Sequence, residues 1–472
     1  MLKLSWSRIT GWLVLLLGMS NQAFAQDSLN MEVVYHWSND TIPPAFFIDN
    51  VYNEIWGYYD PNQDREYAIM GSSLGTHIFD ITDARIGGGQ EVAFIPGKED
   101  DMIHRDYKTK GNYLYAVADE HASSLQIIDL SFLPDSVQVV YDSDEHFVRA
   151  HNIWIEGDRL YACAPKSATA RLGGMLLLDI AQPDSPVFVK QYDEVPGVHD
   201  MYSRNDTVYL NIGNLGLVIA DLTDSLNYQP ISTLEQYAGQ GYNHSGWLSD
   251  DGLTYFFADE NHGRAIKALD VSDPTDPEIS YELSPNFDIT GLDAQTISHN
   301  QLIDGDYLFS SYYYDGVQVF DVSNPDSLFV AGFYDTYPDS NELFYHGNWG
   351  VYPYLPSGLI LASDMQYGLF VLEFFPNGPL DTTISSVEPT FQFGVNLFPN
   401  PVQSELSIAF EIPVFSPKVK IFDLMGRELF EKRWNGRQNQ VNIGGWEQWP
   451  NGVYVVEIEQ GNQTMRQKIR LD

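Results

Sequence analysis

Six of the eleven histidines in the sequence recur at similar intervals, and most are followed by a polar side chain. They are His104, His151, His199, His244, His299 and His346. The polar residues that follow include Asp106, Asn152, Asp200 and Asn300. Imidazole and carboxylate groups together bind Zn²⁺, Mn²⁺ or Fe²⁺, and they can also serve as base and acid in hydrolysis or elimination. We therefore expect any chemistry to occur where these residues meet.

Acidic residues recur between the histidines and offer two interpretations. Two segments resemble each other, namely Asp119-Glu120-His121 and Asp259-Glu260-Asn261-His262, and a third contains Asp364. His104 lies 15 residues before Asp119, as His244 does before Asp259, and His346 lies 18 residues before Asp364. Such pairs could form hydrogen bonds that only brace the fold, or they could contribute to a metal or ligand site. The sequence leaves both interpretations open.

A second metal hypothesis concerns residues 60–66. Asp60, Asn62, Asp64 and Glu66 alternate as the oxygen ligands of a calcium loop do. Arg65 lies where an EF-hand requires glycine, so a solvent-exposed turn between strands is favoured.

A repeated apolar segment that ends in an acidic residue positions the histidines. Its clearest copy is Gly216-Leu217-Val218-Ile219-Ala220-Asp221, and the acidic residue recurs every 42–52 residues. The copies end at Asp80, Asp129, Asp179, Asp221, Asp270, Asp321 and Glu373. A period of this length with four short strands per repeat predicts a seven-bladed β-propeller. The first strand of each blade lines the axis, so the histidines are predicted to converge at one rim.

The last repeat lacks a fourth strand, whereas an extra strand, residues 31–37, precedes the first repeat. We predict that residues 31–37 complete the seventh blade and close the ring without a covalent bond.

The net charge of −40 is concentrated in the repeats, because residues 26–390 contain 56 acidic and 14 basic side chains. Such a surface repels nucleic acid and anionic lipid. It attracts cations, including Ca²⁺, and solubility alone is an alternative explanation of the charge.

The N-terminus indicates export. Lys3 and Arg8 precede an apolar segment, and Ala23-Phe24-Ala25 is a cleavage site that would leave Gln26 as the first residue. The apolar segment is too short to be a membrane span, and no integral membrane segment is predicted in the mature chain. The single cysteine, Cys163, excludes an intrachain disulfide, and we expect a buried, inert thiol.

The repeats resemble the secreted LVIVD-repeat, or choice-of-anchor B, family. The resemblance rests on Gly216–Asp221 and on the series His151-Asn152-Ile153-Trp154-Ile155, Leu160-Tyr161-Ala162 and Leu176-Leu177-Leu178-Asp179-Ile180. It implies a secreted or surface β-propeller and names no activity.

The C-terminal segment resembles the type A sorting domain of the type IX secretion system of Bacteroidetes. Four motifs occur in order: Asn396-Leu397-Phe398-Pro399-Asn400-Pro401, Asp423-Leu424-Met425-Gly426-Arg427, Pro450-Asn451-Gly452-Val453-Tyr454 and Lys468-Ile469-Arg470. The resemblance implies contact with the type IX secretion machinery, and passage through the periplasm to the outer surface or the medium.

These observations predict a signal peptide (1–25), a propeller (26–375), a linker (376–390) and a small β-sandwich sorting domain (391–472). We expect a secreted or cell-surface binding module rather than an enzyme, with a surface protein, peptide or glycan as its ligand. A binding module of this kind should expose aromatic side chains around Tyr312-Tyr313-Tyr314. The alternatives are a metal-dependent hydrolase or lyase that uses the His/Asp/Glu rim, and a structural surface component. The possible cofactor is a divalent metal: Ca²⁺, Zn²⁺ or Mn²⁺.

Overall fold

Short antiparallel strands provide almost all the regular structure in the described part of this chain. The computed structural model describes residues 28–283, 296–324, 328–338, 344–376 and 378, and residues 395–471 except 400, 403, 416, 423–426, 435, 447, 448, 451, 461 and 462. The predicted signal peptide and cleavage site, residues 1–26, lie outside these residues. The predicted linker is described only at 376 and 378. The domain boundaries remain predictions.

Seven sheets occur between residues 28 and 374; five are made of consecutive strands only, and two also include a strand from the N-terminus. Sheet 1 contains Tyr52–Asp60, Arg65–Ser72, Gly75–Asp80 and Gln90–Pro96. Sheet 2 contains Arg105–Lys110, Tyr113–Ala118, Leu125–Asp129 and Gln138–Ser143. Sheet 3 contains Asn152–Glu156, Arg159–Cys163, Met175–Asp179 and Val187–Tyr192. Sheet 4 contains Asp200–Arg204, Thr207–Asn211, Leu217–Asp221 and Gln229–Leu234.

The remaining sheets repeat this pattern. Sheet 5 contains Asn243–Leu248, Thr254–Asp259, Ile266–Asp270 and Glu278–Leu283. Sheet 6 contains Gln301–Asp304, Tyr307–Ser311, Val317–Asp321 and Phe329–Tyr334, with Ser28–Leu29 as a fifth strand. Sheet 7 contains Asn348–Tyr352, Leu359–Asp364, Gly368–Phe374 and, from the N-terminus, Met31–Trp37. A 3₁₀ turn, Ala84–Ile86, lies within sheet 1.

The first strand of each sheet contacts the first strand of the next, and that of sheet 7 contacts that of sheet 1. The seven sheets therefore form a closed ring around an axis, and the predicted β-propeller is confirmed. The core lies between neighbouring sheets; Ile127 of sheet 2 and Leu176 of sheet 3, for example, belong to one buried cluster. Cys163 lies in such an interface, and burial raises the pKa of its thiol well above the usual value, as expected for an inert cysteine.

The acidic residue of the repeat has a structural role. Its side-chain Oδ1 accepts a hydrogen bond from the backbone N–H two residues later, which forms the turn after the third strand. The pairs, 2.7–3.1 Å apart, are Asp80–Thr82, Asp129–Ser131, Asp179–Ala181, Asp221–Thr223, Asp270–Ser272 and Asp321–Ser323. The turn alone explains why an acidic residue recurs at this position, and no functional role is needed to account for it.

The glycine that opens the repeat is required by close packing. Gly216 has a φ of 92°, and a Cβ at this position would lie 2.0 Å from the carbonyl oxygen of Leu234. Gly368 has a φ of 89°, and its Cβ would lie 2.4 Å from the carbonyl oxygen of Trp37. A side chain at either position would push the third strand away from the fourth.

The N-terminal strand closes the ring as predicted. Met31–Trp37 pairs antiparallel with Gly368–Phe374, from Met31 opposite Phe374 to Trp37 opposite Leu369. Ser28–Leu29 pairs with Phe329–Tyr334 of sheet 6. One segment of ten residues thus joins two neighbouring sheets.

The C-terminal residues form two sheets that share a core. One contains Val395–Phe398, Glu405–Phe415 and Arg437–Gly444; the other contains Lys418–Phe422, Glu428–Arg433, Gly452–Gln460 and Gln463–Leu471. Leu406 and Val441 of the first sheet and Val419 and Val456 of the second are buried in one cluster. This is the predicted small β-sandwich. The described residues include no helix with the length and hydropathy needed to cross a membrane.

Deletion of residues 26–37 should destabilise the whole propeller, because it removes both strands that join sheets 6 and 7 and exposes a sheet edge. We expect the free energy of unfolding to fall by more than about 3 kcal/mol, measured by thermal or urea unfolding of the exported chain. Deletion of residues 26 and 27 alone, which leaves both strands, is the control. Equal melting of the two variants would disprove closure by this segment.

Candidate functional site

Six aromatic side chains follow one another around one end of the channel. We call them the histidine ring: His104, His151, His199, His244, His299 and Trp349. Their successive ring centroids are 5.2, 4.1, 4.3, 4.4 and 4.7 Å apart, and 5.3 Å separates Trp349 from His104. Each lies at the start of the first strand of its sheet, from sheet 2 to sheet 7. The structure thus brings together five of the six histidines singled out in the sequence.

The sixth predicted histidine, His346, differs from the expectation. It contacts Phe344 and Tyr337, with centroids 5.3 and 5.8 Å away, and Trp349 occupies the ring position in sheet 7. The reason is a bulge, since the register shifts between Asn348 and Gly350 and leaves Trp349 unpaired.

A bulge in sheet 5 places His244 in the same way. Asn243 pairs with Asp259, the register shifts before Ser245, and His244 is the extra residue. The match between Asn243-His244-Ser245 and Asn348-Trp349-Gly350 is the sequence signal that could have identified Trp349.

Two ring histidines form hydrogen bonds with carboxylates, although the partners differ from those predicted by the sequence spacing. His104 Nδ1 donates to Glu120 Oε1 at 2.5 Å, and His151 Nδ1 donates to Asp119 Oδ2 at 3.2 Å. Lys166 Nζ lies 2.6 Å from Asp119 Oδ1. Asp119 therefore serves the neighbouring sheet rather than His104.

The predicted structural pairs in sheets 5 and 7 are also replaced. Asp259 accepts hydrogen bonds from Lys267 and Tyr237, both at 2.6 Å. Asp364 accepts from Thr336 at 2.8 Å. Tyr237 and Thr336 follow the last strands of sheets 4 and 6, so these two aspartates brace the segments that lead into sheets 5 and 7.

Three side chains form the one group in the described residues with the geometry to share a metal ion. They are His199, His244 and Glu260, and one ligand atom from each lies within 4.8 Å of the others. His244 Nε2 is 3.7 Å from Glu260 Oε2. Tyr313 donates to the other oxygen, Glu260 Oε1, at 2.6 Å. The Tyr313 hydrogen bond fixes one carboxylate oxygen and leaves the second beside His244.

Burial sets the charges at this end of the channel. It lowers the pKa of His199 and His244 well below the usual value and that of His299 to about 3, so these imidazoles are neutral. Burial also raises the pKa of Glu260 to about 7. His299 Nδ1 donates to the carbonyl oxygen of Trp349 at 2.5 Å, which leaves Nε2 as the acceptor.

The two histidine–carboxylate pairs, His104–Glu120 and His151–Asp119, differ from the neutral histidines in their charge. Although burial opposes its charged form, the pKa of His104 is raised by its hydrogen bond to Glu120. Burial also opposes ionisation of Asp119, but His151 and Lys166 lower its pKa to about 2. The mouth of the channel thus combines neutral imidazoles with charged pairs.

A second layer of polar groups lines the channel beside the ring. It contains Glu54, Asp106, Asn152, Asp200 and Asn300. All but Glu54 follow a ring histidine by one or two residues.

Glu54 fills a gap in the second layer. Gly350 provides no side chain there, and a Cβ on Gly350 would lie 2.9 Å from Glu54 Oε1. Lys108 also lines this part of the channel and bonds Asp106 at 2.8 Å. Burial and the charge of Asp106 raise the pKa of Glu54 to about 8.

The other predicted site residues lie apart. His121 is half exposed and 3.8 Å from Asp101, and His262 lies beside Tyr345, with ring centroids 6.3 Å apart. Of the calcium candidates, Asp60 accepts the Asn62 N–H at 2.8 Å.

The remaining two calcium candidates bind protein groups as well. Asp64 accepts the Tyr59 hydroxyl at 2.9 Å, and Glu66 accepts the Ser357 N–H and hydroxyl of sheet 7. The four therefore act in turns and in an inter-sheet contact, and the structure does not bring them to one point.

The predicted aromatic patch is wrong. Tyr312, Tyr313 and Tyr314 are at most 2% exposed, because their turn packs beneath Trp349 and Glu260. The exposed aromatic side chains on this chain include Phe46 and Phe47 instead. Sequence reasoning also missed Trp349, Glu54 and Lys108. Glu54 carries no local signal, because the first repeat lacks a histidine at this position.

The fold and the site define a β-propeller with a histidine-lined channel. Two family models match parts of the chain: residues 396–471 match the secretion system C-terminal sorting domain, and residues 297–336 match the LVIVD repeat. The chain thus contains an LVIVD repeat in sheet 6 and a type IX C-terminal sorting domain, and the sorting domain indicates that it is secreted or located at the outer surface. A search of curated protein sequences found no match. The choice-of-anchor B assignment stays a prediction.

Solved structures with a similar shape differ widely in sequence. The designed protein Ika8 is 9% identical with a TM-score of 0.43, over 69% of this chain and 96% of that one. The extracellular domain of BT4673 from B. thetaiotaomicron, described as a hybrid two component system, is 10% identical with a TM-score of 0.46, over 93% of this chain and 60% of that one. The periplasmic gluconolactonase PpgL of Pseudomonas aeruginosa is 13% identical with a TM-score of 0.43, over 64% and 94%. At these values the comparisons carry no functional information.

Replacement of Glu54 by Gln should change how stability depends on pH. Because the folded-state pKa of about 8 exceeds the ordinary 4.5, the folded protein keeps a proton that the unfolded chain releases. Stability from this group is therefore present below about pH 4.5 and is lost as the pH rises to about 8. Between pH 5 and 8.5, the free energy of unfolding of the variant should fall by roughly 1–4 kcal/mol less than that of wild type. Urea unfolding measures both values.

The exposed Glu278→Gln variant is the control and should follow wild type. If Glu54→Gln loses stability with pH as steeply as wild type, Glu54 does not hold a proton in the folded channel.

Proposed function

We propose that the chain is a secreted binding protein whose ligand site is the histidine-lined mouth of the channel, centred on a divalent transition metal. The observation that carries this proposal is the convergence of His199, His244 and Glu260, with ligand atoms within 4.8 Å of one another. Two imidazoles and a carboxylate are a ligand set for Zn²⁺, Mn²⁺ or Fe²⁺. Ca²⁺ fits this set less well, because it prefers six or more oxygen ligands.

The protonation states favour a metal. His199 and His244 are neutral because of their burial, so a metal need not displace a proton from them near pH 7. Tyr313 holds Glu260 Oε1 from outside the group, as hydrogen bonds of this kind orient ligands in metal sites. The acidic surface of residues 26–390 raises the local concentration of cations.

A bound metal would draw the three ligand atoms together from separations of up to 4.8 Å. Bonds of about 2.0–2.2 Å around a tetrahedral ion separate ligand atoms by about 3.4 Å. His244 Nε2 and Glu260 Oε2 are already 3.7 Å apart. Three protein ligands leave one position for an atom of an external ligand.

The same ligand set also suits a metal-dependent hydrolase or lyase, because such enzymes keep an open metal position. Catalysis would need a free base near that position. Asp119 and Glu120, at this mouth, are already paired with Lys166, His151 and His104. Because these carboxylates are already paired, a binding function is favoured over catalysis. Metal-dependent turnover of a substrate would favour the enzyme instead.

The proposal predicts one transition metal ion per chain, bound through Glu260. Purified chain, stripped with chelator and titrated with Zn²⁺ or Mn²⁺ by calorimetry, should bind one equivalent. Glu260→Gln should weaken binding at least tenfold, because the amide is a poor metal ligand. Elemental analysis of the untreated protein provides a second measurement.

Glu120→Gln is the matched control, since Glu120 occupies the equivalent loop in sheet 2 but pairs with His104. It should bind metal as wild type does. If wild type binds no metal, or if both variants lose it equally, the metal-centred site is wrong and a purely structural surface protein becomes the better interpretation.

A further inference from the structure

Positive charge is scarce in the propeller, and part of it is gathered beside the histidine ring. Residues 26–390 contain 14 basic side chains against 56 acidic ones. Many of the 14 are paired, as Lys110 is with Asp158 and Lys267 is with Asp259. Within the described residues, Arg149 and Arg171 form no hydrogen bond or ion pair through their side chains.

Both unpaired arginines flank Lys166 in one small ribbon. Arg149 lies opposite Lys166, and Lys166 lies opposite Arg171, in antiparallel bridges outside the named strands. Directly opposed residues of such a ribbon direct their side chains to the same face. The three basic side chains, which we call the basic ribbon, therefore share one face.

This face is directed towards the histidine ring. Lys166 Nζ lies 2.6 Å from Asp119 Oδ1, and Asp119 in turn binds His151. The guanidinium of Arg171 lies against Gly197, because a Cβ there would be 2.3 Å from Arg171 Nη1. Gly197 precedes His199 by two residues.

A second contact places Arg171 at the mouth of the channel. Its charge acts on Tyr242, and the Tyr242 ring meets the His199 ring edge-on, with centroids 5.1 Å apart. Arg171 therefore lies near one of the three proposed metal ligands.

The acidic groups near the ribbon do not neutralise it. Asp119 is shared between Lys166 and His151. Asp193, which lies beside Gly173, accepts a hydrogen bond from Gln191 at 2.6 Å. Two positive charges thus remain available in a domain that is otherwise strongly negative, and an arginine fork matches a carboxylate or sulfate group.

We propose that the basic ribbon is an anion subsite, which holds a carboxylate or sulfate group of the ligand that enters the histidine-lined mouth. The inference deepens the proposed function, since it assigns a charge to the ligand of that same mouth. Anion binding itself does not need the metal, so the two ideas can fail separately.

The test uses the full exported chain after removal of metal by chelator and dialysis. Sodium sulfate, sodium acetate and glucuronate are titrated at constant ionic strength, with glucose as the neutral counterpart of glucuronate. Binding is followed by calorimetry and by tryptophan fluorescence, to which Trp349 of the ring contributes. At least one anion should bind at one equivalent, and glucose should not bind.

Arg171→Gln and Arg149→Gln should each weaken the affinity for the anion at least fivefold, and the double variant should abolish anion binding. Neither should lower the melting temperature, because neither side chain forms a hydrogen bond or ion pair with another described residue. Lys190→Gln is the charge-matched control in the same sheet, where Lys190 pairs with Glu194, and it should leave binding unchanged.

The outcomes separate clearly. Preference for sulfate identifies a sulfated ligand, and preference for acetate and glucuronate identifies a carboxylate; both support the subsite. The inference is wrong if no anion binds, or if Lys190→Gln weakens binding as much as Arg171→Gln. Failure of metal binding with intact anion binding would remove the metal and keep the subsite.

Discussion

Closure of the ring by the N-terminal strand is the constraint on which the site depends. The first strands of the seven sheets touch only because each sheet is held between two neighbours. Sheet 7 is complete only with Met31–Trp37, and sheet 6 gains Ser28–Leu29 from the same segment. An incomplete sheet would leave an unpaired edge beside the interface between sheets 7 and 1. The residues at the axis would then lose the packing that fixes their positions.

Crowding at the axis determines the chemistry of the site. Ring centroids 4.1–5.3 Å apart leave little room for water between the histidines. Buried imidazoles remain neutral, because a charge in such surroundings is costly unless an anion is adjacent. His104 has that anion in Glu120, whereas His199 and His244 remain neutral. One ring therefore contains a histidine whose charged form is stabilised by Glu120 and others that remain neutral.

Local sequence patterns were sufficient for the architecture and for much of the site. The repeated acidic residue marks a turn that depends only on its own backbone, so its period follows the sheets directly. The closing strand was recognisable because the last repeat lacks one. His346 could not be distinguished from a ring residue, because a single-residue bulge at Trp349 decides which side chain faces the axis. Glu54 enters the channel to fill space left by Gly350, and only the assembled ring shows that space.

The basic ribbon illustrates the same limit. Arg149 and Arg171 are 22 positions apart in the sequence, and only the bridges through Lys166 bring them to one face. The two arginines matter because the surrounding domain is strongly negative. A net charge of −40 attracts cations over long distances, and within a Debye length of about 8–10 Å the local charges dominate. A ligand that approaches the mouth therefore meets neutral imidazoles and unpaired guanidinium groups together.

A bound metal would add positive charge at the same place and strengthen the attraction for an anionic group. The two proposed subsites would then favour each other, and each should bind more tightly when the other is occupied.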